Sequence, residues 1–420
     1  MTLVAGCANA PDSATVTAGA APGVTSTQVD VGALATLSGP ISADFAPIVA
    51  GVRAYFDWVN DQGGVNGRQV VLTHAADDQG SPSENAIEAR ALVEQDHVFA
   101  VVGVATAFFT GASFLARTGT PTFGYATQNE WAGPPNLFAA YGSVVDFSTL
   151  GPSIAYVAHR SGAHSVALMA YGVAQSAGVC AAAQPTLERL GIHVGYEDLS
   201  VPYGGEVSSD VVRMKQSHVD FVVSCMDVTG NIQLSRTMQQ NGMAASQLWL
   251  DGYNQSTLAA NAQLMRRTYF LIQHVPFEAA TLFPGVFGGL EQYLAVMHRY
   301  APGDERSEVA MEGWLSAALF VQGLRAAGPH PTQQSVVAAI NKIRSFTGNG
   351  ITTPIDWSIS HRTVTPPSCE ASVVTSTGPS GRPVFKLVFN KGSQIWVCFP
   401  NSGPIDLDRP VPPPPGSPGT

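Results

Sequence analysis

The chain has 420 residues, 45% apolar and only 12% charged, with 21 basic against 31 acidic side chains. That length allows two or three domains with sizeable cores, and the apolar share excludes disorder of the chain as a whole. The net charge of −10 lacks the basic footprint of a nucleic-acid binder, and no apolar run approaches the roughly 18 residues of a membrane span.

Near the N-terminus, Leu3-Val4-Ala5-Gly6-Cys7 resembles the lipobox of bacterial lipoproteins, small residues before a cysteine that receives lipid. The basic and apolar regions that normally precede such a site are missing. From Ala8 to Thr27 the chain is mostly Ala, Gly, Ser, Thr and Pro with one charge, Asp12; residues 1–27 thus read as lipobox and flexible tether, about 25 Å in root-mean-square reach. Setting Cys7 aside leaves Cys180, Cys225, Cys369 and Cys398, an even number suited to an oxidising compartment. Their order suggests Cys180–Cys225 and Cys369–Cys398, although four cysteines allow three pairings.

Beyond the tether, Val29–Leu34 reads as a buried strand ending in the turn Leu37-Ser38-Gly39-Pro40. Ile48, Val52, Tyr55, Phe56 and Val59 follow helical spacing, which predicts a helix over about 44–60. A strand at Gln69–His74 follows, then Ser81-Pro82-Ser83-Glu84, a capping box that opens another helix. Phe99–Gly103 is a continuous apolar strand, as parallel sheets covered on both faces require. Strands are expected at Pro121–Tyr125, Ser165–Met169, His193–Tyr196, Phe221–Ser224 and Gln247–Leu250. Helices are expected at Ser153–Arg160, Gly178–Leu190 and Ile232–Asn241. This alternation in two series, broken near 139–151, predicts doubly wound α/β lobes. Helices at Val286–Tyr300, Ser307–Ala327 and Thr332–Arg344 precede a β-rich segment from 355 to 399, with Val384–Phe389 and Ile395–Phe399 as a hairpin. Residues 401–420 read as a Pro-rich disordered tail.

These residues resemble the first lobe of type I periplasmic solute-binding proteins, in the leucine/isoleucine/valine-binding group of ABC importers. The resemblance rests on Leu37-Ser38-Gly39-Pro40, on Asn60-Asp61-Gln62-Gly63-Gly64-Val65-Asn66-Gly67, and on Asp77-Asp78 before the Ser81 helix. Val101-Val102-Gly103, Phe138-Ala139-Ala140-Tyr141 and Gly151-Pro152 support it. It spans about 29–357 and implies two lobes joined by three hinge crossings, 28–147 plus 275–349 and 150–272 plus 352–400. The β-rich C-terminal extension is longer than the family's usual tail.

The same resemblance implies an interlobe cleft at the carboxyl ends of the strands, where open α/β sheets bind ligands. On lobe one it places Ser38, Thr106, Ala107, Ala126 and Thr127 against a ligand carboxylate or carbonyl. On lobe two it places Gln175 or Tyr171, Met226 or Asp227, and Tyr253, with Asp251 as a substitute for the family's ammonium-binding carboxylate. Phe108, Phe109, Tyr125, Trp131 and Tyr253 suggest instead an aromatic or apolar ligand, or plain core packing. The expected protein is an extracytoplasmic, lipid-anchored, monomeric binding protein that captures a small polar ligand, an amino acid or related amide or carboxylate, for ABC permease subunits. No GxSxG elbow, HExxH, Walker loop or GxGxxG is present, and the histidines show no ligand spacing, so no catalytic residues, metal or cofactor are expected. A ligand-sensing domain acting on a membrane partner is the alternative reading; a hydrolase on the same scaffold is a third.

Overall fold

The computed structural model describes residues 21–420; Cys7 and most of the tether lie outside the described residues. Continuous apolar runs become the two sheets. In the first, β1 (Gln28–Ala35), β2 (Gln69–Asp77), β3 (Ala100–Ala105), β4 (Thr122–Gly124) and β5 (Leu137–Ala139) run parallel in the order β2-β1-β3-β4-β5. In the second, β6 (Ser165–Tyr171), β7 (His193–Val201), β8 (Phe221–Ser224), β9 (Ser246–Trp249) and β10 (Thr268–Ile272) are parallel. There β11 (Ser368–Thr377) and β12 (Pro383–Val388) add antiparallel to the β10 edge, giving the order β12-β11-β10-β9-β8-β6-β7. The molecule is a two-lobed α/β protein with an antiparallel C-terminal extension.

Helix Glu308–Ala327 is apolar nearly all round and is buried against helix Ile48–Asp61 of the first lobe. Two glycines let the backbones touch: a Cβ on Gly51 would collide with the Ala310 carbonyl, and one on Gly313 with the Ile48 carbonyl. That contact fixes which face of the long helix is turned away from the first lobe's core. Ser81 caps its helix as the sequence predicts, with Oγ accepting from Glu84 N at 3.4 Å and Pro82 in the first turn.

The chain passes between the sheets three times, and the second and third passes run side by side. Val275 N donates to the Ile351 carbonyl at 2.7 Å, beside a His274–Thr352 bridge. Both disulfides form with the pairing that chain order suggests, Cys180–Cys225 and Cys369–Cys398.

Two expectations for the C-terminal region are corrected. Val397–Phe399 (β13) pairs with β11, not with β12, so the expected hairpin between 384–389 and 395–399 does not form. Ser368–Thr377 is the strand both segments needed. Residues 401–420 are not a loose tail: Leu407 is buried in the second lobe's core, Val411 N donates to the Cys398 carbonyl at 2.9 Å, and Trp396 Nε1 donates to the Pro418 carbonyl at 2.9 Å. No helix among the described residues is long and apolar enough to cross a membrane.

Candidate functional site: an acidic interlobe cleft

A cavity of about 460 Å³ lies at the carboxyl ends of both sheets and is lined from both lobes. Its size is that of a small-molecule site. The loop after β3 contributes Ala107, Phe108 and Phe109, and the loop after β4 contributes Tyr125, Ala126 and Thr127. The second lobe supplies Tyr171 and Gln175 after β6, Asp227 after β8 and Asp251 after β9. Ala107, Ala126, Thr127, Gln175, Asp227 and Asp251 are therefore brought together as the sequence places them.

Three expected residues are not. Ser38 is exposed and its hydroxyl donates to Asp77 Oδ2 at 2.6 Å, while Asp77 Oδ1 also holds the Leu37 and Ser38 N–H groups. Thr106 is buried, and its hydroxyl donates to the Asp78 carboxylate, which also accepts from Thr36 at 2.6 Å and Asn85 at 2.9 Å. Asp77 and Asp78 thus use their hydrogen bonds to tie the ends of β1 and β3 to β2, and they withdraw both hydroxyls from any ligand. Tyr253 is fully buried behind the cleft. Its hydroxyl donates to Glu278 Oε2 at 2.5 Å and accepts from Phe277 N at 2.8 Å, and its ring stacks on Phe277 at 5.1 Å. Among the candidate aromatics, Trp131 is buried core against Phe109, with centroids 4.8 Å apart. Tyr125 and the half-exposed Phe108 do face the cavity.

The second-lobe wall is braced at several points. Ser176 Oγ accepts from Tyr171 N at 2.8 Å and donates to the Cys225 carbonyl at 2.6 Å. The Cys180–Cys225 bond ties the helix carrying Gln175 to the end of β8. Asp227 caps helix Val228–Gln240 through Gly230 N at 2.7 Å and accepts from the Tyr171 hydroxyl at 2.9 Å. Tyr203 stacks on Tyr171 at 4.0 Å and remains exposed at the rim.

Sequence reasoning passed over the first lobe's carboxylates. Glu308 and Glu312, one helical turn apart on helix Glu308–Ala327, both line the cavity. Glu312 is 2% exposed and its Oε2 has no partner in the protein. Asp44, in the turn after β1 beside the cavity-lining Phe45, is 4% exposed with both oxygens unpartnered. Burial first, and the charges of Asp251 and Asp227 second, push the Asp44 carboxyl up to about 9. Asp251 is raised to about 7 by burial and then by Asp227. Burial raises Glu308 well above the usual carboxylate range with help from Asp251, and Glu312 likewise with help from Glu308 and Asp251. Among the described residues, no Lys, Arg or His lines the cavity. A legible signal existed: two acids four apart in an otherwise apolar helix have no reason to be buried unless something meets them.

Two doubly wound lobes around a cleft at their strand ends define a two-lobed binding-protein fold. A family model described as periplasmic binding protein matches residues 28–375, and the chain belongs to that family, with the type I fold. The structure is similar to a fatty acid ABC transporter substrate-binding protein from Thermomonospora curvata (TM-score 0.72, 16% identity, covering 88% of this chain and 93% of that one). It is also similar to the branched-chain amino acid transporter substrate-binding protein LivJ from Streptococcus pneumoniae in complex with isoleucine (0.70, 19%, 86% and 99%). A branched-chain amino acid ABC transporter protein from Thermus thermophilus with bound valine is a third (0.68, 18%, 86% and 95%). Among curated proteins none matches. The family and these neighbours are substrate-binding proteins that work outside the cytoplasm, not enzymes.

Proposed function

We propose that this chain is the extracytoplasmic receptor of an ABC importer, capturing one small polar solute, an amino acid or a related compound, between its lobes and presenting the closed form to permease subunits. The observation that carries this reading is the cleft itself: a cavity of about 460 Å³ shared by both lobes, whose lining residues include Glu312, Gln128 and Tyr141 with unpartnered polar atoms. Ala107, Ala126 and Thr127 would face the ligand from lobe one, and Gln175, Asp227 and Asp251 from lobe two. The work done is a difference in ligand affinity between open and closed arrangements. Lipid on Cys7 would hold the protein at the membrane as a monomer, on the tether that residues 8–27 supply.

Thermal-shift screening of amino acids, amines and carboxylic acids identifies the ligand, because saturating ligand raises apparent stability by mass action. Small-angle scattering with that ligand should then show a smaller radius of gyration. A scattering profile unchanged at saturation contradicts a closing receptor.

A further inference from the structure

The electrostatics of the cleft go further than the receptor reading and rest on it. Carboxylates converge from both walls, Glu308 and Glu312 on one side and Asp227 and Asp251 on the other, with Asp44 buried beside the cavity-lining Phe45. An acidic cluster alone would be an accident of folding. Here Glu312 and Asp44, each more than nine-tenths buried, also keep carboxylate oxygens without any donor. Leaving such groups buried and unmatched is costly, and a matching donor removes the cost. The protein supplies none, since the charged neighbours that act on Asp44, Glu308 and Glu312 are all acidic.

The remaining surface fits the same occupant. Tyr125 and Tyr171 line the cavity and Tyr203 stacks on Tyr171 at its rim, and aromatic faces attract cations. The Tyr141 hydroxyl, on the cavity wall, is also buried without a partner. A metal ion is a poor match, because among the described residues no three acidic, His or Cys side chains are grouped to hold one. Two of the three lobe-one hydroxyls that would have received a ligand carboxylate, Ser38 and Thr106, are committed to Asp77 and Asp78, which leaves Thr127 alone on the cavity wall.

We propose that the ligand is a compact organic cation of net positive charge, bearing amine or guanidine donors at more than one position, rather than a neutral or anionic amino-acid-like solute. Its ammonium or guanidinium groups bridge Glu308 and Glu312 on one lobe to Asp227 and Asp251 on the other. Closure is thereby driven by a cation that joins acidic walls the empty cleft leaves unmatched. Carboxyls that hold protons in the empty cleft release them when the cation arrives, so affinity rises with pH.

Isothermal titration of the full chain with agmatine, leucine and phenylacetate tests this. Agmatine should bind, leucine and phenylacetate should neither bind nor displace it, and agmatine affinity should rise from pH 6 to pH 8.5. Heats measured in phosphate and in Tris should differ, because protons are released. Glu312→Gln and Asp251→Asn should each weaken agmatine about tenfold to a hundredfold, the worth of one hydrogen bond to a charged group. Binding of leucine or phenylacetate in place of agmatine, or affinity that falls with pH, overturns the cation and leaves the receptor standing. Agmatine affinity unchanged in both variants also overturns it. If no probe binds and none raises the melting temperature, the cation falls, and the receptor reading is then judged separately by the scattering experiment.

Discussion

At the hinge, the Tyr253 hydroxyl lies between Glu278 and the Phe277 N–H, and Arg306 stands 3.9 Å from the same carboxylate. In the cleft Glu312, and beside it Asp44, bury carboxylate oxygens that meet no donor. Both places are acidic, tyrosine-rich and largely hidden from water; at the hinge Tyr253 and Glu278 match each other while His274 Nε2 and Tyr293 Oη stay unpartnered, and beside the cleft the Glu312 and Asp44 carboxylates meet no donor. A matched group contributes to folding. An unmatched one detracts from it and is tolerated where a ligand completes it. Pairing separates the Tyr253–Glu278 contact from the unmatched Glu312 carboxylate, although unpartnered polar atoms such as Trp131 Nε1 occur in the core as well.

The sharpest way to break the comparison is at the hinge stack. Phe277→Ala removes a ring packed on Tyr253, His274 and Tyr293 and should cost about 3–5 kcal/mol of stability. Chemical denaturation would measure this; a loss below about 1 kcal/mol would mean the stack is not structural. Next, replacing Cys180 and Cys225 together by Ser should cost about 2–4 kcal/mol and loosen the wall that carries Gln175 and Asp227. Denaturant midpoints, with and without reductant for the unmodified chain, would show it.

A smaller effect concerns pH in the absence of ligand. Burial pushes the Asp44 and Asp251 carboxyls up to about 9 and about 7, above the ordinary 3.8, so the folded state holds more protons than the unfolded state. The stability this brings is fully present below about pH 4 and is lost as pH rises through about 7 for Asp251 and about 9 for Asp44. The melting temperature of the ligand-free protein should therefore fall between pH 5 and pH 8.5. Asp44→Asn should flatten that fall. A melting temperature that rises across the window would mean these carboxyls are matched after all.

How much of this was legible in the sequence depended on the range of the interaction. The α/β alternation showed because strands such as Ala100–Ala105 and Phe221–Ser224 are buried on both faces and read as unbroken apolar runs. The strand Ser368–Thr377 did not show, because its buried side chains include Ser368, Glu370 and Ser372, satisfied by partners such as Asn401 and Ser153 that lie far away in sequence. The Pro-rich end was misread for a related reason: its composition suits an extended chain, but Leu407 and Val411 find partners on β13 and its surroundings. At the site, residues expected just after strand ends do line the cavity where the loop is short, as at Ala107, Thr127 and Asp227. Ser38 and Thr106 failed because their partners sit about forty and thirty residues away, beyond local pattern. Asp251 and Tyr253 exchanged roles across Gly252, whose φ of +109° reverses the chain between them. The carboxylate faces the cleft, and the ring goes to the hinge.

That exchange offers the most direct test. Tyr253→Phe removes a hydroxyl whose partners are all internal, and Glu312→Gln removes a carboxyl whose partner is absent. Calorimetric unfolding and agmatine titration of the two variants side by side should separate them. Tyr253→Phe should lose about 1–3 kcal/mol of stability, the cost of leaving buried partners unmatched, with agmatine affinity unchanged. Glu312→Gln should keep or raise the melting temperature and lose about tenfold or more in affinity. The reverse pattern, affinity lost with Tyr253→Phe and stability lost with Glu312→Gln, would contradict the assignment of hinge and cleft.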